Sequence, residues 1–170
     1  VVTEKGQRDA ALVALGYGCG LRRDELASLA VGDLDLVQRR VIVRGKGNKE
    51  RVVPIPPGAF HALRDYLDVR TGGLVDCEGK ASLLSPLYKE TALFVRARRG
   101  GRLVPDADAL TGQAVYHVLQ TRAAEAGVEA FSPHDLRRTY VGDLLDEGAD
   151  LSVAQQLAGH ASPTTTAGYD

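Results

Sequence analysis

The residues best suited to chemistry are a histidine and an arginine three positions apart in Ser132-Pro133-His134-Asp135-Leu136-Arg137-Arg138-Thr139-Tyr140. Ser132 is a good N-cap, Pro133 suits the first helical position, and Asp135 completes a capping-box pattern, so the stretch predicts a helix start. Their spacing puts His134 and Arg137 on roughly one face of that helix. Two donors beside the positive end of a helix dipole suit a phosphate oxyanion, although the same pair also fits an ordinary helix surface. Arg22, close to the start of the segment Leu21 to Leu29, is a second candidate. A cation there opposes the dipole, which makes sense if it serves an anion beyond the helix end; the other reading is a surface arginine paired with Glu25 or Glu4. Lys46 and Lys49 form a third group, at the tip of a basic hairpin flanked by Arg44 and Arg51. The hairpin would present them to a partner, or they keep it soluble.

Composition sets the frame for these groups. The chain has 170 residues, enough to bury a core without metals or disulfides, and fits one domain or a compact pair of subdomains. Cys19 and Cys77 stand far apart and outside any Cys-x-x-Cys spacing, so they read as reduced thiols in an intracellular protein. The apolar run Ala10 to Leu15 is too short for a signal peptide or a membrane span. With no methionine even at position 1, the sequence reads as an excised fragment. A net charge of −1 argues against a general nucleic-acid binder, but the charges are segregated. Six basic residues and one acid lie between Arg39 and Arg51, and Arg96, Arg98, Arg99 and Arg102 form a second basic group. Asp143, Asp146, Glu147 and Asp150 gather elsewhere. Such segregation fits solvated faces as well as a binding surface.

The elements that must position these side chains follow from periodicity. Helical spacing predicts a helix from Gln7 to Cys19 with Ala11, Leu12 and Leu15 inward, then a short helix bringing Leu26 and Leu29 inward. Val41 to Val43 and Val52 to Ile55 are β-branched runs around the turn residues Gly45 to Lys49, which predicts a β-hairpin. Pro56-Pro57 opens a helix to about Arg70 with Phe60, Leu63 and Leu67 as its stripe. Residues 71 to 89 read as loop, Ala92 to Val95 as a short strand, and Arg96 to Arg102 as a loop able to lie on a phosphate backbone. Thr111 to Gly127 predicts a helix with Val115, Val118 and Leu119 inward. Its His117, like His61, has no partner motif and reads as structural. The Pro133 helix should stop at Gly148, with a further helix over Leu151 to Leu157 and a last helical turn after Ser162-Pro163. The expected fold is mainly α with a small antiparallel β-sheet, an α+β domain.

Taken together, Arg22 in Gly-Leu-Arg-x-x-Glu-Leu, Lys46 in Gly-Lys-Gly-Asn-Lys, His134 and Arg137 in His-x-x-Arg, His160 after Leu-Ala-Gly, and Tyr169 nine residues later resemble the catalytic domain of the tyrosine recombinase, or phage integrase, family. The resemblance covers nearly the whole chain and matches in residue type, order and spacing. It implies that Arg22, Lys46, His134, Arg137 and His160 surround a scissile phosphate that Tyr169 attacks, with Glu25 as the acidic supporting residue after the first arginine. It also implies double-stranded DNA as substrate and a tetramer on DNA for the full-length parent, the isolated domain being compatible with a monomer. A cytoplasmic location and no membrane contact follow.

The residue types suit that reaction. In-line attack on a phosphodiester needs a nucleophile, charge stabilisation on the non-bridging oxygens and a proton for the departing 5′ oxygen. A tyrosine hydroxyl can attack once a base or cationic field helps to remove its proton. Two arginines fork onto phosphate oxygens. Lys46 suits the general acid, His134 the management of the tyrosine proton, and His160 a hydrogen bond to a non-bridging oxygen. A 3′-phosphotyrosyl link would conserve the bond energy, so neither a cofactor nor a metal is expected. Arg44, Lys49, Arg51 and the Arg96 to Arg102 loop are the expected backbone contacts. Against the family's usual layout the chain would be the catalytic domain alone, residues 1-170, without the N-terminal core-binding domain or a segment beyond the tyrosine. Gly168 would leave Tyr169 unusually free. A type IB topoisomerase shares this chemistry but relaxes supercoils, and ligation between two duplexes separates the two. A DNA-binding module without chemistry would have little reason to keep all six residues.

Overall fold

A computed structural model describes residues 3–72, 90–104 and 108–159. Its first helix, α1 (Glu4–Gly18), starts at Thr3, whose hydroxyl accepts the Gly6 amide at 3.0 Å. Helix α1 turns Ala11, Leu12 and Leu15 inward, as its periodicity predicts. It packs along α3 (Pro57–Thr71), which buries Phe60, Leu63, Tyr66 and Leu67. Gly72, at φ 68°, ends α3 in the left-handed conformation. Between them lie the short α2 (Arg23–Ser28) and a three-stranded antiparallel sheet of β1 (Leu34–Asp35), β2 (Arg40–Arg44) and β3 (Glu50–Pro54).

The hairpin register sets Val41 opposite Val53, Val43 opposite Arg51 and Arg44 opposite Glu50. Val41, Val43, Val53 and Ile55 face the core, while Val52 points out at 51% exposure. A single 3-10 turn at Lys46–Asn48 joins the strands, with Gly47 and Asn48 at positive φ and the Gly45 amide donating to the Lys49 carbonyl at 2.8 Å. Strand β1 was not expected from the sequence. Two residues give no alternation to read, and Leu34 joins the sheet through its pairing with Val41.

The expected strand from Ala92 to Val95 is present only as isolated bridges, Ala30 to Ala92 and Val95 to Ala109. Its apolar residues are nonetheless core. Leu93, Phe94 and Val95 are buried, Phe94 stacks on Tyr66 at 5.6 Å between centroids, and the Leu93 carbonyl accepts from Tyr66 (2.7 Å) and Arg70 (2.9 Å). Helix α4 (Gly112–Ala126) is capped by Thr111 and closed by Gly127 at φ 66°. A buried ion network ties α4 to α1: Asp9 accepts from Arg8 at 2.6 and 2.8 Å on one oxygen and from Arg122 at 2.7 and 3.0 Å on the other. His61 and His117 are both exposed on their helices, and His117 sits 3.2 Å from Gln113.

Helix α5 (Pro133–Asp146) has the capping box read from the sequence: the Ser132 hydroxyl accepts the Asp135 amide and the Asp135 carboxylate accepts the Ser132 amide at 2.8 Å. Helix α6 (Leu151–Ala158) ends at Gly159, φ 63°. These two carry a small second cluster of Tyr140, Val141 and Ala158, set beside the main core. Most of the loop read over residues 71 to 89, Cys77, and the last turn after Ser162 lie outside the described residues. Among the described residues no helix is long and apolar enough to cross a membrane. Cys19 is a buried thiol within 3.6 Å of the Pro54 carbonyl, and burial pushes its pKa up to about 12.

Candidate active site

Three arginines converge on the C-terminal end of α6, each from a different part of the chain. Arg22 is the N-cap of α2, Arg51 lies in β3, and Arg137 is on the second turn of α5. Arg51 Nε donates to the Leu157 carbonyl at 2.9 Å, Arg137 Nη2 to the Ala158 carbonyl, and Arg22 Nη2 to the Gly159 carbonyl at 2.9 Å. A helix end leaves its last carbonyls without helical partners and carries the negative end of the dipole, so cations belong there. These three consecutive carbonyls lead directly into His160.

Glu25 organises the cluster. Its Oε1 accepts from Arg51 Nη1 at 2.7 Å and Arg22 Nη1 at 3.0 Å; its Oε2 accepts from Arg51 Nη2 and from the Arg22 amide, each at 2.8 Å. Burial alone would raise its pKa, since Glu25 is only 6% exposed. Hydrogen bonds from Arg51 and the Arg22 amide, with the charges of both guanidiniums, overcome that and hold it at about 2. Two guanidiniums hold this carboxylate, and with Arg137 at the same helix end the cluster carries an excess of positive charge.

Arg137 is 3% exposed and reaches the Gly20 carbonyl at 2.6 Å as well as Ala158. Arg22, with its side chain 43% exposed, is the guanidinium at the open mouth. Of the two sequence readings of Arg22, the pairing with Glu25 is present, and the side chain is still part exposed. His134 is exposed on the first turn of α5, one helical turn before Arg137. Lys46 begins the hairpin turn, but its side chain lies outside what is described, and His160 and Tyr169 lie outside the described residues altogether.

The expected backbone contacts divide. Lys49 is exposed on the hairpin. Arg44 is half exposed and held between Asp33 at 2.5 Å and Glu50 at 3.0 Å. Arg51 departs from the expectation: its side chain is 11% exposed, and its guanidinium turns inward onto Glu25 and Leu157. The signal was present in the strand period, because Arg51 shares parity with buried Val53 and Ile55. A second basic surface lines a cleft between the start of α1, the loop at 96 to 101 and α4, with Lys5, Arg96, Arg98, Arg99 and His117 on its walls. Among the described residues no group of His, Cys, Asp and Glu is placed to hold a metal ion.

The architecture is that of tyrosine recombinase catalytic domains. It superposes on the crystal structure of XerA recombinase with a TM-score of 0.74 at 28% identity, covering 96% of this chain and 53% of that one. It also superposes on XerH site-specific recombinase bound to its difH substrate, in a pre-cleavage complex, with a TM-score of 0.70 at 20% identity, covering 98% and 44%. At that lower identity the likeness is one of fold alone. In sequence the chain is 42% identical over 164 residues to tyrosine recombinase XerC of Thermodesulfovibrio yellowstonii, covering 96% of this chain and 50% of that protein. It is 40% identical over 163 residues to tyrosine recombinase XerD of Mycobacterium tuberculosis, covering 95% and 47%. The chain thus spans about half the length of the curated relatives it matches. The phage integrase family model matches residues 2–170, and the chain belongs to that family.

Proposed function

We propose that this chain is the catalytic part of a site-specific DNA recombinase, which breaks and rejoins DNA strands through a 3′-phosphotyrosyl link. The observation that carries the reading is the convergence of Arg22 and Arg137, distant in sequence, on the segment that leads to His160 and Tyr169, with Glu25 holding Arg22. Relatives named tyrosine recombinases support it, and duplex DNA is the partner that this reading implies.

In this reading the Tyr169 oxygen attacks phosphorus, losing its proton as the new P–O bond forms. The bond to the 5′ oxygen breaks, and that oxygen takes a proton from Lys46. Arg22 and Arg137 stabilise charge on the non-bridging oxygens, since planar guanidiniums are always protonated and fork onto phosphate. His160 donates to a non-bridging oxygen, and His134 handles the tyrosine proton. One phosphodiester-type bond replaces another, so the strand is resealed by the reverse reaction without external energy. Lys49, Arg44 and the arginines of the 96 to 102 loop hold the duplex backbone, and further copies of the full-length protein complete the assembly on DNA in the cytoplasm.

The test is a nicked suicide duplex that traps the covalent product on a denaturing gel. Tyr169→Phe should form no adduct while its DNA affinity stays nearly intact, because only the hydroxyl is lost. Adduct formation by this variant at the wild-type rate would remove Tyr169 from the reaction.

A further inference from the structure

We infer that Arg51 is a positioning residue for strand cleavage, acting through Glu25 to aim the guanidinium of Arg22. The inference rests on the recombinase reading of the site and goes beyond the residues which that reading names. Three observations carry it. Arg51 grips both oxygens of Glu25 in a fork, at 2.7 and 2.8 Å, while Arg22 takes the same two oxygens through its side chain and its own amide. The rotation of the carboxylate is therefore fixed by Arg51, and the carboxylate in turn fixes the direction of the Arg22 side chain, which is otherwise at the open mouth. The third nitrogen of Arg51 donates to Leu157, the first of the three carbonyls at the end of α6. One largely enclosed side chain thus ties strand β3 to the starts of two segments the reaction uses, α2 and the approach to His160.

Gly159 shows how closely this grip is fitted. A Cβ built on Gly159 would lie 2.8 Å from Arg51 Nη1 and 3.0 Å from its Cζ, so the guanidinium lies directly against the backbone that precedes His160. A lysine at 51 would supply a point charge without the fork, and a glutamine would supply neither charge nor fork. Removing the fork frees Glu25 to rotate and Arg22 to leave its aimed position. Misplacement on the scale of an ångström costs about 10²-fold in rate.

The experiment uses the full-length protein and the suicide duplex in single turnover at saturating DNA, well below the unfolding temperature of each variant. Arg51→Gln should slow adduct formation by ~10²-fold, with DNA affinity within a few-fold of wild type and an unchanged dependence on salt. Arg51→Lys should fall between the two. Because Arg22 rather than Lys46 is affected, the defect should persist when sulfur replaces the bridging 5′ oxygen, a leaving group that needs almost no proton. Adding Arg51→Gln to Glu25→Gln should slow cleavage little beyond the slower single variant. Three results would overturn the inference: a wild-type rate constant in folded Arg51→Gln, weaker binding with the salt slope reduced by about one as for a phosphate contact, or recovery on the sulfur-bridged substrate. If Arg51→Gln does not fold, Arg51→Lys decides by the same criteria, a wild-type rate constant counting against the inference. A wild-type protein that forms no adduct would instead sink the recombinase reading itself.

Discussion

Glu25 holds four hydrogen bonds, all from two arginines, in a place that water scarcely reaches. Its pKa in the folded protein, about 2, lies below the ordinary 4.5. A depressed folded pKa means that the unfolded chain binds the proton more readily, so the contribution to stability is complete above about pH 4.5 and is lost as the pH falls toward 2. The pH-dependent part amounts to about 3 kcal/mol. Urea unfolding of wild type and Glu25→Gln at steps from pH 6 to pH 2 should show their stability difference shrinking by about that amount. A difference that stays constant over the range would mean that the carboxylate does not feel the two arginines. Arg51 is the residue whose place was least visible in the sequence, because a basic residue in a basic hairpin reads as surface. Only its parity with Val53 and Ile55 marks it as inward, and parity does not say what meets it inside. Arg22 and Arg137 were more legible, since their distance from each other in the sequence is no obstacle once the motif order is seen.

Between α1 and α2 the chain turns at Gly20, φ 59°, under the ring of Tyr140 from α5. A Cβ at Gly20 would lie 2.2 Å from Tyr140 Cδ1, and the Gly20 carbonyl is the acceptor for Arg137. Gly20→Ala should therefore destabilise the protein by roughly 2–5 kcal/mol, from the left-handed backbone and the overpacked ring together. Thermal unfolding of this variant, with Gly127→Ala as a control at a left-handed glycine that has open space, separates the two costs. Equal losses would mean that the ring gives way freely. Elements with a cap or a long stripe were legible in the sequence: α5 through Ser132 and Asp135, α3 through Pro57 and its apolar positions, the hairpin through its change of period. Those held by tertiary contacts were not. Strand β1 exists because Leu34 finds Val41, and residues 92 to 95 are fixed by Leu29, Tyr66 and Arg70 without forming a ladder.

The molecule as a whole has a large core under α1, α3, α4 and the sheet, and a small cluster under α5 and α6. Among the described residues, helix α6 buries Ala154 and Ala158 fully, and three guanidiniums hold the carbonyls at its end. Two alanines bury little apolar surface, so the free energy that keeps α6 docked is much smaller than that of α1, with Leu12 and Leu15 in the main core. Native-state hydrogen exchange should find the amides of α6 opening at a lower free energy than those in the middle of α1, and protection of α6 equal to that of α1 would contradict this. The consequence is one of timing. A local opening of about 2–3 kcal/mol leaves a helix undocked for roughly 0.6–3% of the time, and while α6 is away Arg22 loses its Gly159 acceptor and Arg137 its Ala158 acceptor, Arg137 keeping the Gly20 carbonyl. The site then exists as an intermittent object, and the clock that sets its duty cycle is the docking of an eight-residue helix on two alanines.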